Sequence, residues 1–282
     1  MTAFINKVVT LLFASLLLLI TTAVAQQDRM VRYIDTTAIR NRQIQKTQKK
    51  PPAIQKEFSL GARLNTDGWS LFAEKGKVRS EEKESDLFYH IRMYQVEFGE
   101  HYHAKEMKVS NTNGPSYTDK PRAYKYGKVN NFYVFKLGYG VRRLIAGKPD
   151  PGTVSIHWVY AGGLSLGILK PYYLDVVMEN GVMKSIRYEE EPQFFLPSPA
   201  NQMRIIGRSN YFEGINKTKI IPGLYAKTGL HFDVAAFRKR KLAIETGLGG
   251  ELYVKKIPIM ANVKAYPYVL NAYVSFQFGY RK

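Results

Sequence analysis

The stretch TVSIHWVYAGGLSLGIL, residues 153–169, decides the fold. Val154, Ile156, Trp158, Tyr160, Leu164, Leu166 and Ile168 alternate with Ser155, His157, Ala161, Gly163, Ser165 and Gly167. A strand places successive side chains on opposite faces, so one face here is large and apolar and the other small or polar. A soluble sandwich also alternates, but its outer face carries Lys, Thr and Glu freely. A face of Gly, Ala and Ser with isolated charges is what a narrow lumen demands, where facing strands crowd one another. The large face then meets lipid.

The same grammar recurs along the chain. In EFSLGARLN, Phe58, Leu60, Ala62 and Leu64 oppose Glu57, Ser59, Gly61, Arg63 and Asn65, and Asp67-Gly68 follows as a hairpin signal. In LFYHIRMYQVEFGEHYH (87–103), His90 and Arg92 share one parity while Gln95, Glu97, His101 and His103 share the other. A β-bulge near Met93 and Tyr94 would reconcile the halves. Strands over 132–144, 224–236, 242–254 and the closing YVLNAYVSFQFGYRK complete the set. The chain's 20 Tyr supply material for interfacial aromatic girdles.

Connection lengths choose the topology. With the first strand rising from the periplasm, the segments 104–130, 170–223 and 255–266 all emerge outside, whereas AGKPDPG and FRKRK turn inside. Short periplasmic turns and long external loops mark an outer-membrane barrel. The expected fold is therefore all-β: a transmembrane antiparallel up-and-down barrel of about eight strands with long extracellular loops. Ten strands follow if the hairpin at Asn180-Gly181 joins the wall.

Ahead of the barrel, Lys7 precedes the apolar run Val8–Ile20, and Ala23 and Ala25 form an A-x-A cleavage pattern. The run falls short of the ~20 residues of a spanning helix. Residues 1–25 are read as a cleaved signal peptide, 26–56 as a flexible basic periplasmic leader, and 57–282 as the barrel domain. No cysteine is present, so there is no disulfide framework. The net charge of +19 would point to nucleic acid in a cytosolic protein. Export redirects it towards outer-membrane lipids and lipopolysaccharide phosphates, with the basic residues of 105–128 outside and Arg238, Lys239, Arg240 and Lys241 in a periplasmic turn; the ordinary solubility of exposed turns is an equal alternative.

Candidate chemistry is weighed against this frame. GLSLG (163–167) matches G-x-S-x-G, but a nucleophile elbow needs a sharp strand-to-helix turn, and Ser165 sits within a continuous strand. His101 and His103, with Glu97 and Glu106 nearby, lack the third and fourth ligands that define a metal site. Arg63, Glu74, Arg92, Glu97, Lys136, His157, Lys227, His231, Asp233, Glu245 and Glu251 are expected in the lumen. His231 and Asp233 formally match a catalytic pair, yet a lumen-filling salt-bridge network accounts for the whole set. No catalytic residue, cofactor or metal is expected. The long segment 170–223, with YYLDVV, PQFFLP and SNYF, is the expected partner surface.

Five segments carry a family resemblance: GARLNTDGW (61–69), LSLGILKPYYLDV (164–176), IPGLYAKTGLHFD (221–233), KRKLAIETGLG (239–249) and the aromatic closing strand. Together they resemble the small outer-membrane β-barrel proteins of Bacteroidota, the PorT-like porin group. The sequence departs from many barrels in closing on Tyr280-Arg281-Lys282 rather than a terminal aromatic. The resemblance implies a barrel without assigned activity and, through relatives associated with type IX secretion, an accessory role with an envelope or secretion-complex protein. An outer-membrane hydrolase and a narrow diffusion pore are the rival readings.

Overall fold

A computed structural model describes residues 56–79, 90–110, 122–146, 154–196, 198–234 and 240–282. The signal reading, the leader up to residue 55, the NTNGPS tip and Lys239 lie outside these residues. The strands are β1 (Lys56–Asn65), β2 (Gly68–Arg79), β3 (His90–His101), β4 (Lys108–Val109), β5 (Tyr124–Lys125) and β6 (Asn130–Ala146). They continue as β7 (Val154–Pro171), β8 (Tyr173–Val177), β9 (Met183–Arg187), β10 (Ile205–Arg208), β11 (Lys219–Val234), β12 (Arg240–Ile257) and β13 (Tyr266–Arg281).

Eight of them close into an antiparallel barrel in the order β1-β13-β12-β11-β7-β6-β3-β2. Every wall strand pairs with its neighbours along the chain, and β13 returns to β1 with Phe58 opposite Tyr280 and Leu64 opposite Val274. Lys56 and Lys282 exchange backbone hydrogen bonds of 2.9 Å in both directions, which pins the seam.

The wall is apolar outside and polar inside. Leu60, Leu64, Leu71, Leu137, Leu164, Leu224, Leu248, Leu270 and Phe276 are exposed on the outer surface. Ser59, Arg63, Glu74, Lys136, His157, Lys227 and Glu245 are buried within. Water on the outside would make such a belt costly, and lipid makes it favourable, so this is the inside-out distribution of a membrane-spanning barrel. No helix among the described residues is long and apolar enough to cross a membrane.

Two expectations are corrected. The strand β3 pairs with β2 from Gly68↔His101 to Arg79↔His90 without a register shift, so the bulge near Met93 is not there. Met93 points inward against Val159 and Ala161, and Arg92 is exposed on the outer face rather than in the lumen. Arg92 lies near the short-turn end of its strand, beside Lys77, where a long cationic side chain reaches polar surroundings. The hairpin at Asn180-Gly181 does form, between β8 and β9, with Gly181 at φ 76°. It does not join the wall. It builds a separate sheet in the order β10-β8-β9, because its apolar residues are taken up by a core of their own.

Candidate functional site

The lumen is filled in three layers. At the short-turn end, Glu57 accepts from Arg142 at 2.5 Å and from Lys241 at 3.1 Å, and Arg281 lies 3.5 Å away. Arg142 also binds Glu74, and Arg281 binds Asp233. Midway, Arg63 pairs with Glu97, and Lys136 bridges Glu97 at 3.2 Å and Glu251 at 2.5 Å. Glu245 accepts from Lys227 and from the Tyr273 hydroxyl, each at 2.9 Å, with the His231 ring 3.2 Å away. Nearer the loops, Phe132, Val134, Leu169, Ile221, Tyr253 and Ile257 form an apolar plug.

Six cations (Arg63, Lys136, Arg142, Lys227, Lys241 and Arg281) thus meet six carboxylates (Glu57, Glu74, Glu97, Asp233, Glu245 and Glu251). A charge away from water costs several kcal/mol, and pairing each one with an opposite charge offsets part of that cost. Inward aromatic rings complete the filling. Gly138 is required beneath one of them: a Cβ there would lie 1.8 Å from the Tyr225 hydroxyl.

Of the sequence-predicted lumen residues, Arg63, Glu74, Glu97, Lys136, His157, Lys227, His231, Asp233, Glu245 and Glu251 are buried inside. Arg92 is the exception. Lys241 is corrected in the other direction: it stands not in a turn but sealed within the first ionic layer, because β12 already begins at Arg240. Glu57 of the same layer was legible only as a polar-face position, and Arg142 and Arg281 join it from β6 and β13. Tyr225, Tyr253 and Tyr273, which share the parity of the polar face, fill the lumen.

The candidate chemistry is not assembled. Ser165 is buried and its hydroxyl lies 2.8 Å from the Tyr253 hydroxyl, which itself donates to Glu251 at 2.5 Å. The strand passes straight through this position, with no elbow. His231 faces Glu245, while Asp233 binds Arg281. His101 spans Asp67 at 2.8 Å and Glu251 at 3.0 Å. His103 lies beyond β3 and accepts from the Lys105 amide at 3.1 Å, so the two imidazoles do not converge. Among the described residues no cluster of three or more His, Cys, Asp or Glu is arranged to hold a metal ion.

At the opposite end the long connections fold together into a cap. Tyr124, Tyr172, Leu174, Val176, Ile186, Phe194, Phe195 and Ile205 form its core. YYLDVV and PQFFLP are therefore mostly buried structural material, and the exposed partner surface expected of them is narrowed to Tyr211 and Phe212 of SNYF. Cross-links tie the segments: Arg122 to Asp175 at 2.5 Å, the Lys125 amide to the Tyr172 hydroxyl at 2.9 Å, and the Val129 amide to the Ile259 carbonyl at 2.8 Å. Glu106 anchors the connection after β3, accepting from Lys125 at 2.5 Å and Lys128 at 2.9 Å. Burial alone would raise the Glu106 carboxyl, but these two ammonium groups outweigh it and hold it below the usual carboxylate range.

Between cap and wall lies a groove of about 430 Å³. Its wall side is made by Trp69, Phe98, Tyr133 and Lys170 at the end of β7, and its cap side carries Arg208 and Tyr211. Phe98 and Tyr133 stack with centroids 6.2 Å apart, and the Tyr133 and Tyr211 hydroxyls are 2.9 Å apart.

These features define a membrane-spanning eight-stranded barrel with an occupied lumen and a structured cap at one end. No protein-family model matches the sequence, and no curated protein matches it. Among solved structures the chain is similar to the N-terminal β-barrel domain of Pseudomonas aeruginosa OprF, at 8% identity and a TM-score of 0.33, covering 81% of this chain and 97% of that one. Neisserial surface protein A is similar at 9% identity and a TM-score of 0.33, covering 81% and 96%. Ail, the attachment invasion locus protein of Yersinia pestis, is similar at 8% and 0.31, with the same coverage. At such scores the assignment of fold rests on the strand pairing itself.

Proposed function

We propose that this chain spans the bacterial outer membrane and serves as a non-catalytic binding or accessory component of the envelope, with its cap on the outside. The observation that carries this reading is the lumen, filled from the Glu57 layer to the Phe132 plug, while the built surface lies entirely at the loop end. A closed interior leaves the outer loops as the place where a rigid scaffold does its work. The partner we put forward first is an envelope protein, including a component of a secretion complex, on the strength of the PorT-like resemblance.

Two measurements test it. In planar bilayers the purified protein is expected to show little or no conductance. Replacing residues 173–217 with a short Gly-Ser turn is expected to leave a heat-modifiable barrel and to abolish co-purification of a partner from native membranes. Stable channels that persist in the replacement variant would instead make the protein a pore.

A further inference from the structure

We propose that the groove between cap and wall holds the phosphorylated headgroup of an outer-leaflet glycolipid, with Lys170 and Arg208 receiving the phosphate. The proposal deepens the reading above and rests on its outward orientation of the cap.

Charge is the first argument. Every lumen cation has a carboxylate, but Lys108, Lys170 and Arg208 line the groove without a salt bridge to any described residue. Lys170 is the most telling, since its side chain is buried and, among the described residues, its ammonium donates to the Tyr211 carbonyl and lies 3.8 Å above the Tyr211 ring. Arg208 lines the same groove. Two like charges gathered in a half-dry groove are unfavourable until an anion joins them. Glu100 and Glu213 also line the groove, but neither forms a salt bridge with Lys170 or Arg208; they accept from the Tyr102 and Ser209 hydroxyls instead.

Position supplies the second argument, and it selects a lipid over a soluble anion. One side of the groove is Phe98, part of the membrane-facing wall and 43% exposed. Beyond Tyr211 come Phe212, 71% exposed, and Ile215, 53% exposed. The outward Ile220 of β11 is opposite Ile168, two residues before Lys170. Tyr and Trp rings with cations above an apolar wall are the arrangement found where headgroups meet acyl chains. A free phosphate has no use for the apolar flank, whereas an acyl chain does.

The test uses the full chain in nanodiscs of phosphatidylcholine with or without lipid A, followed by native mass spectrometry of the released protein. Retention of lipid A in preference to phosphatidylcholine is expected. Lys170→Gln and Arg208→Gln should each weaken it about fivefold, and Lys184→Gln on β9, outside the groove, should leave it unchanged. Should the double variant lose its heat-modifiable mobility, Arg208→Gln alone carries the test, because that side chain is exposed. Equal retention of both lipids, or undiminished retention in a folded Arg208→Gln variant, overturns the proposal. So does full displacement by inorganic phosphate, which would mark a soluble-anion site. Conductance measured on the same preparation reports separately on the closed-lumen reading, so the two can fail independently.

Discussion

Glu245 shows at single-residue scale how the interior is held. It accepts from Lys227 and Tyr273, lies against His231, and takes a further hydrogen bond from Gln277 at 3.3 Å. Removing one partner of a buried ion pair strands the other charge, which costs about 3–5 kcal/mol. Glu245→Ala is therefore expected to destabilise the barrel by that amount, and Glu245→Gln by less, because an amide still offers one acceptor to the surrounding donors. Urea-dependent loss of the heat-modifiable band measures both. Parity along the strand made Glu245 readable, as it did Arg63, Lys136 and Asp233. It failed for Arg92 and Met93, where a charge on the membrane side and a thioether on the inside inverted the usual assignment. It did place Tyr273 inward beside Asn271, Ser275 and Gln277, and Tyr225 shares the parity of Lys227 and Gly229. Residue type alone would not have done so, because tyrosine suits a girdle and a lumen equally.

At the scale of elements, the eight wall strands were legible because each must satisfy lipid on one side and a crowded lumen on the other. The cap was less so. Its strands β8, β9 and β10 are short and their apolar residues are largely buried, so they carry little alternation to read. The anchor after β3 makes an acid-dependent prediction. Glu106 has its carboxyl depressed in the folded protein, so its contribution is complete above the unfolded value near ~4.3. That contribution is lost only as pH falls through the lower folded value. The Trp69 indole donates to the Tyr102 hydroxyl at 2.8 Å, and the Lys125 ammonium lies 4.6 Å from the centre of that tyrosine ring, so Trp69 reports on the anchor. In a Trp158→Phe background, emission should stay constant from pH 8 to pH 5 and shift below about 4. Glu106→Gln should abolish the shift. An unchanged transition in that variant would assign the effect to another group.

For the whole molecule, the two ends of the barrel differ in kind. The short-turn end exposes outward cations, including Lys75, Lys77, Arg92 and Arg143, and the other end carries the cap. In the proposed orientation, a single cysteine at Asn180 should react with an impermeant maleimide on intact cells, and one at Lys282 should not. The absence of native cysteine makes the experiment clean. Labelling at 282 without labelling at 180 would invert the molecule. The seam between β1 and β13 has a temporal implication as well. Glu57 belongs to the first wall strand and Arg281 to the last, and both sit in one ionic layer with Arg142 and Lys241. Arg281 also neutralises Asp233. That layer cannot be completed while the sheet is still open. An unfinished barrel would therefore hold imbalanced charge facing a gap, and insertion would reach its stable state in one concerted closing step, with the earliest and latest parts of the wall arriving as mutual counterions.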